Sequence, residues 1–162
     1  MTFDRVPAIF AHRLGRAYGP DSSRLALQRC LEWPVDGLET DCCLTADGEI
    51  VLVHDPLLAL ATTATGWAHE NTAAQILASR LRDRDAKPSS QRPMLLGELL
   101  ELAPAEVTVQ LEVKAHADPV LARRTAQAVC GQLADHAARE RCEILSFWSG
   151  ACELATSLGF RA

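Results

Sequence analysis

Gly37-Leu38-Glu39-Thr40-Asp41-Cys42-Cys43-Leu44 and Glu49-Ile50-Val51-Leu52-Val53-His54, joined across Asp47-Gly48, decide the fold. Each run is mostly apolar and short enough for a strand, and Asp-Gly between two such runs is a strong turn signal. Upstream, Ala8–Ala11 is a short apolar run that reads as a buried strand ending at His12. Ser22–Trp33 carries Leu25, Leu27, Cys30 and Leu31, with Ser22 or Ser23 as N-cap, and reads as a helix. Downstream, Thr72–Leu81 and Leu95–Leu102 read as helices, the latter stopped by Pro104. The polar stretch Ser79 to Arg92 alternates acids and bases and reads as a surface connection. Val107–Val113 alternates and is rich in β-branched residues, the mark of a strand. A long helix over Pro119–Ala138, a strand over Glu143–Phe147 and a helix over Ala151–Leu158 follow, and Gly159–Ala162 opens a further strand. Strands alternating with helices imply βα units and a parallel α/β sheet.

With 162 residues, the chain has room for one domain. Its 48% apolar content suits a packed core and excludes general disorder. The 21 acidic and 16 basic residues leave a net charge of −5, which argues against broad binding to nucleic acid or an anionic membrane surface. Ala8–Ala11 is too short for a secretory signal, and no apolar run approaches the roughly 20 residues of a membrane span. The expectation is a cytoplasmic protein without a transmembrane segment. Its six cysteines contain no C-x-x-C pair and read as buried, reduced thiols.

The residues with chemistry gather at strand ends: His12-Arg13, Glu39 and Asp41, His54-Asp55, Glu112 and Lys114. In parallel α/β architectures the C-terminal strand ends form the active face. Glu39 and Asp41, two apart on a strand, project from one face, and Glu112 and Lys114 repeat that spacing. Three carboxylates converging there call for a hard divalent cation, Mg²⁺ or Ca²⁺. Spacing alone also allows exposed strand acids paired with Lys or Arg. His12 and His54 suit proton transfer near neutral pH, although a histidine after a strand also occurs as a structural residue. Arg13 offers a planar donor fork to a phosphate and Lys114 a compact charge. His69 and His136 read as solvated, and His116 as a minor rim candidate.

Ala11-His12-Arg13, Pro20-Asp21-Ser22-Ser23, Glu39-Thr40-Asp41, Thr45-Ala46-Asp47-Gly48, Val51-Leu52-Val53-His54-Asp55, Leu111-Glu112-Val113-Lys114 and Ser146-Phe147 occur in one order. This series resembles the glycerophosphodiester phosphodiesterase family, whose pattern runs HRG, PENT, E-x-D, T-x-D-G, V-x-HD, E-x-K and SF. Leu14 stands where the family has the glycine of HRG, and Asp21-Ser22-Ser23 stands for Glu-Asn-Thr. The resemblance implies a TIM-type (β/α)₈ barrel and hydrolysis of small-molecule glycerophosphodiesters to an alcohol and glycerol 3-phosphate. It implies Glu39, Asp41 and Glu112 as ligands of Mg²⁺ or Ca²⁺, His12 and His54 as the acid–base pair, and Arg13 and Lys114 on the phosphate. Such a barrel typically takes about 250 residues, so residues 1–162 are expected to be a single domain holding about its first half, without the C-terminal βα units. Open sheet edges in a half-barrel invite self-association. An inactive or partner-dependent half-barrel that binds a phosphate ligand or another chain is the alternative expectation.

Overall fold

A computed structural model describes residues 7–115 and 118–162; His116 lies outside them. Five strands form one sheet: β1 (Phe10–Ala11), β2 (Gly37–Leu44), β3 (Ile50–Leu52), β4 (Thr108–Val113) and β5 (Cys142–Leu145). The order is β1-β2-β4-β5, all parallel, and β3 folds back antiparallel onto the end of β2. The Asp47-Gly48 turn makes that hairpin, with Leu44 opposite Ile50. The expected opening of a further strand is present: Arg161 bridges Glu143 in parallel, and Ile144 N–H donates to the Arg161 carbonyl at 2.8 Å.

Among the described residues six α-helices accompany the sheet: α1 (Arg24–Cys30), α2 (Leu58–Ala61), α3 (Ala73–Leu77), α4 (Leu96–Leu102), α5 (Pro119–Leu133) and α6 (Ser149–Ser157). Their starts follow capping chemistry. Ser23 Oγ accepts from Ala26 N–H, Thr72 and Gln75 form a reciprocal capping box, and Asp118 accepts from Val120 and Leu121 N–H ahead of Pro119. Three helices stop earlier than their apolar spacing suggests, α1 at Cys30 and, with a side-chain bond at the stop, α3 and α5. Ser79 Oγ donates to the Ile76 carbonyl after α3, and His136 Nδ1 accepts from Ala138 N–H after α5. Side-chain bonds of this kind offer the backbone an alternative to another helical turn. His69 and His136 are half-buried rather than solvated, and His69 Nδ1 is wholly enclosed.

The two faces of the sheet differ sharply. Leu38, Cys42, Val109, Leu111, Val113 and Ile144 point into the main core with Leu27, Leu99 and Val129. The alternate residues Glu39, Asp41, Gln110, Glu112 and Glu143 share the opposite face, as the period of two requires. A smaller core of Val51, Val53, Leu58, Ile76 and Leu81 underlies the segment between β3 and α4. The cysteines are free and mostly buried, and burial pushes the Cys142 thiol up to about 11. Among the described residues no helix is long and apolar enough to cross a membrane.

Candidate active site

The site begins at a tight turn after β1. His12–Leu14 forms a 3₁₀ turn in which Arg13 and Leu14 have φ of 50° and 57°, and Gly15 follows at 93°. Left-handed backbone costs a non-glycine residue roughly 1–2 kcal/mol. Burial of the Leu14 side chain, 0% exposed, offsets this cost where the family pattern has glycine. The glycine one position later is required by contact as well as by φ: a Cβ on Gly15 would stand 2.6 Å from Cys30 Cβ. Two bonds fix the turn to its neighbours. Arg13 N–H donates to Glu39 Oε2 at 2.8 Å, and Ser22 N–H donates to the Arg13 carbonyl at 2.9 Å.

β2 and β4 lie in register with Asp41 beside Glu112. That register brings Glu39, Asp41 and Glu112 together, with one oxygen of each within 4.8 Å of the others. Lys114 Nζ reaches Glu112 Oε1 at 2.7 Å and forms an ion pair with Asp41 Oδ1 at 3.0 Å. Burial works to lower the Lys114 pKa, but these carboxylates outweigh it, and the net shift is upward. Burial drives the Glu39 carboxyl up to about 7, against the pull of Arg13 N–H and with the help of the Asp41 and Glu112 charges. Glu39 Oε1 and Asp41 Oδ2 are buried without a hydrogen-bond partner, and Asp41 Oδ1 has only its ion pair with Lys114. Leaving buried acceptors unpaired is costly, and two such oxygens in a cluster of three carboxylates fit a hard divalent cation such as Mg²⁺ or Ca²⁺.

The remaining groups surround this cluster. His12 Nε2 stands 3.8 Å from Glu39 Oε2, and its pKa is lowered by burial and by Arg13 and Arg16. His54 pairs through Nδ1 with Asp55 Oδ2 at 3.1 Å. It borders a cleft of about 540 Å³ shared with Arg16, Asp21, Asp55, Leu60 and Arg84. Arg13 NH1 donates to Asp21 Oδ2 at 2.6 Å, and its Nε lies 3.5 Å from Asp41 Oδ2. Six of the seven residues singled out by the sequence thus meet in one chain of contacts. His54 approaches from the neighbouring cleft. Asp21 and the Ser22–Thr40 hydroxyl pair, at 2.8 Å, complete the frame and received no role from the sequence. The signal for them was present in the Pro20–Ser23 stretch, but only the fold shows what it touches.

Residues 12–154 match the glycerophosphoryl diester phosphodiesterase family. The chain belongs to that family. Glycerophosphodiester phosphodiesterase 1 of Bos taurus is 34% identical over 118 residues, covering 70% of this chain and 35% of its own length. A putative glycerophosphoryl diester phosphodiesterase from Agrobacterium tumefaciens superimposes with a TM-score of 0.80 at 26% identity, over 97% of this chain and 62% of its own. An Oleispira antarctica phosphodiesterase, solved with the product sn-glycerol-3-phosphate, gives a TM-score of 0.80 at 23% identity, over 94% of this chain and 62% of its own. The chain therefore spans well under half of the curated family member and about three fifths of these solved ones. The sheet, parallel but for β3, with its helices is the corresponding part of the family's TIM-type barrel.

Proposed function

We propose that this chain provides the metal- and phosphate-binding half of a phosphodiesterase that hydrolyses glycerophosphodiesters to an alcohol and glycerol 3-phosphate. One observation carries the reading: the carboxylates of Glu39, Asp41 and Glu112 converge beside Arg13 and Lys114, with buried, unpaired oxygens on Glu39 and Asp41. Glu39, Asp41 and Glu112 would hold Mg²⁺ or Ca²⁺. When bound, such an ion offsets negative charge on a phosphoryl group and polarises its oxygens. Arg13 and Lys114 bind and orient the phosphate from the same side. His12, whose pKa is lowered, is neutral at neutral pH and is suited to take a proton from the attacking hydroxyl. His54 faces the cleft with room for the leaving alcohol, and is suited to give that oxygen a proton. The names of the Bos taurus relative and of the product in the Oleispira antarctica complex support the same substrate class.

The test is release of glycerol 3-phosphate from glycerophosphocholine with millimolar Mg²⁺ or Ca²⁺. His54→Ala is expected to lose roughly 10²–10⁴-fold in rate, the usual contribution of acid–base catalysis. No release by the parent above that variant would remove the catalytic reading and leave a phosphate- or partner-binding module.

A further inference from the structure

Two buried, oppositely charged groups in the site lie close together without hydrogen-bonding. Arg13 Nε and Asp41 Oδ2 are 3.5 Å apart, both are enclosed, and both lack a hydrogen-bond partner. In a low-dielectric pocket such a pair closes unless something holds it open, because each unpaired group is costly. The restraint visible on the guanidinium is at its other end. Arg13 NH1 is drawn to Asp21 Oδ2 at 2.6 Å, and Asp21 in turn faces Arg16 Nε at 3.4 Å. The Arg13 backbone, left-handed at φ 50° and bonded at both its N–H and its carbonyl, fixes the point from which the side chain reaches either acid.

We infer that Asp21 is a positioning residue that tethers Arg13, keeping Asp41 Oδ2 free for the cation and Arg13 Nε free for the phosphate. This rests on the proposed metal site and adds a residue that acts on the cation through Arg13. Without the tether, Arg13 closes on Asp41 and competes directly with the cation for its oxygen. The competition has a signature that a merely structural role lacks. The metal-free protein gains an Arg13–Asp41 hydrogen bond for the lost Arg13–Asp21 one, so its stability does not fall, while its cation affinity does.

The experiment is a Ca²⁺ titration of the melting temperature, on the full chain, for the parent, Asp21→Asn and Asp21→Glu. For Asp21→Asn the Ca²⁺ concentration at half-maximal shift is expected to rise roughly tenfold or more, the scale on which supporting residues tune metal affinity, with a metal-free melting temperature no lower than the parent's. Asp21→Glu keeps the charge and is expected to return the midpoint to within a few-fold of the parent's. An unchanged midpoint in Asp21→Asn, a lowered metal-free melting temperature, failure to fold, or an Asp21→Glu that behaves like Asp21→Asn each overturns the tether. A parent that shows no Ca²⁺-dependent shift overturns the metal site itself, and the tether with it.

Discussion

At the scale of the residue, Leu14 and Glu39 each hold two opposing terms. Leu14 occupies left-handed backbone with its side chain fully enclosed. Leu14→Gly relieves a strain of roughly 1–2 kcal/mol but gives up a buried leucine, worth about 2–5 kcal/mol when cut back to alanine. Burial outweighs strain, so the variant is expected to be less stable, read as a lower urea midpoint. An equal or higher midpoint would mean that the conformational cost dominates. Glu39 carries a carboxyl pushed up to about 7, against an ordinary value of 4.5, inside a ring formed by His12, Arg13, Asp41 and Glu112. The folded chain holds that proton more tightly than the unfolded chain does. Its contribution to stability is therefore complete below 4.5 and is lost as pH rises through about 7. In the presence of a chelator, the parent is expected to lose more melting temperature between pH 5 and pH 7.5 than Glu39→Gln. Parallel pH profiles for the two would show that Glu39 is not perturbed as described.

Elements here are short, and what fixes them is often a single bond between side chains. Ser22 has φ 53°, is fully buried, and meets Thr40 Oγ1 at 2.8 Å in the middle of β2, where Thr40 stands between Glu39 and Asp41 in sequence. Thr40→Val leaves the Ser22 hydroxyl buried and unpaired, which is expected to cost about 1–3 kcal/mol. Ser22→Ala with Thr40→Val removes both partners and should recover part of that loss in chemical unfolding. Additive losses would show that the hydroxyl pair does not hold the loop to the strand. The same shortness decides what the sequence discloses. β2 and β4 were legible because a strand's period of two separates Leu38 and Leu111 from Asp41 and Glu112 without reference to anything distant. The ends of α3 and α5 were not, because Ser79 and His136 stop them through bonds that hydropathy does not register. The four-residue α2 has too few turns to show any period. The left-handed turn was legible only as a misplaced glycine, since the burial that lets Leu14 accept φ 57° is a tertiary fact.

Over the whole molecule, the site is a product of register, which sequence order does not specify. The spacing within each strand puts Glu39 with Asp41 and Glu112 with Lys114. That Asp41 faces Glu112 across the sheet follows only from the parallel pairing of β2 with β4. The seven candidate residues could thus be named in advance, whereas Asp21 could not be given a task, because its contact with Arg13 depends on where α1 leaves the turn. The proposed cation site would also couple folding to the ion. A ligand bound only by the folded chain adds RT ln(1 + [L]/Kd), about 2.7 kcal/mol at a hundredfold excess over Kd. For a chain of this length, that corresponds to a rise of roughly 5–10 °C in melting temperature. Millimolar Ca²⁺ or Mg²⁺ is therefore expected to raise the melting temperature of the parent by that order, and Glu39→Gln with Asp41→Asn to abolish the rise. The single Glu39→Gln variant should be no less stable than the parent in the absence of metal, because it exchanges a carboxyl held near 7 by burial and like charge for a neutral amide. Asp41→Asn alone should be less stable without metal, since Asp41 is the acid that Lys114 and Arg13 both approach. If the two single variants exchange these behaviours, the charge balance of the cluster is reversed, with Glu39 rather than Asp41 compensating the two cations.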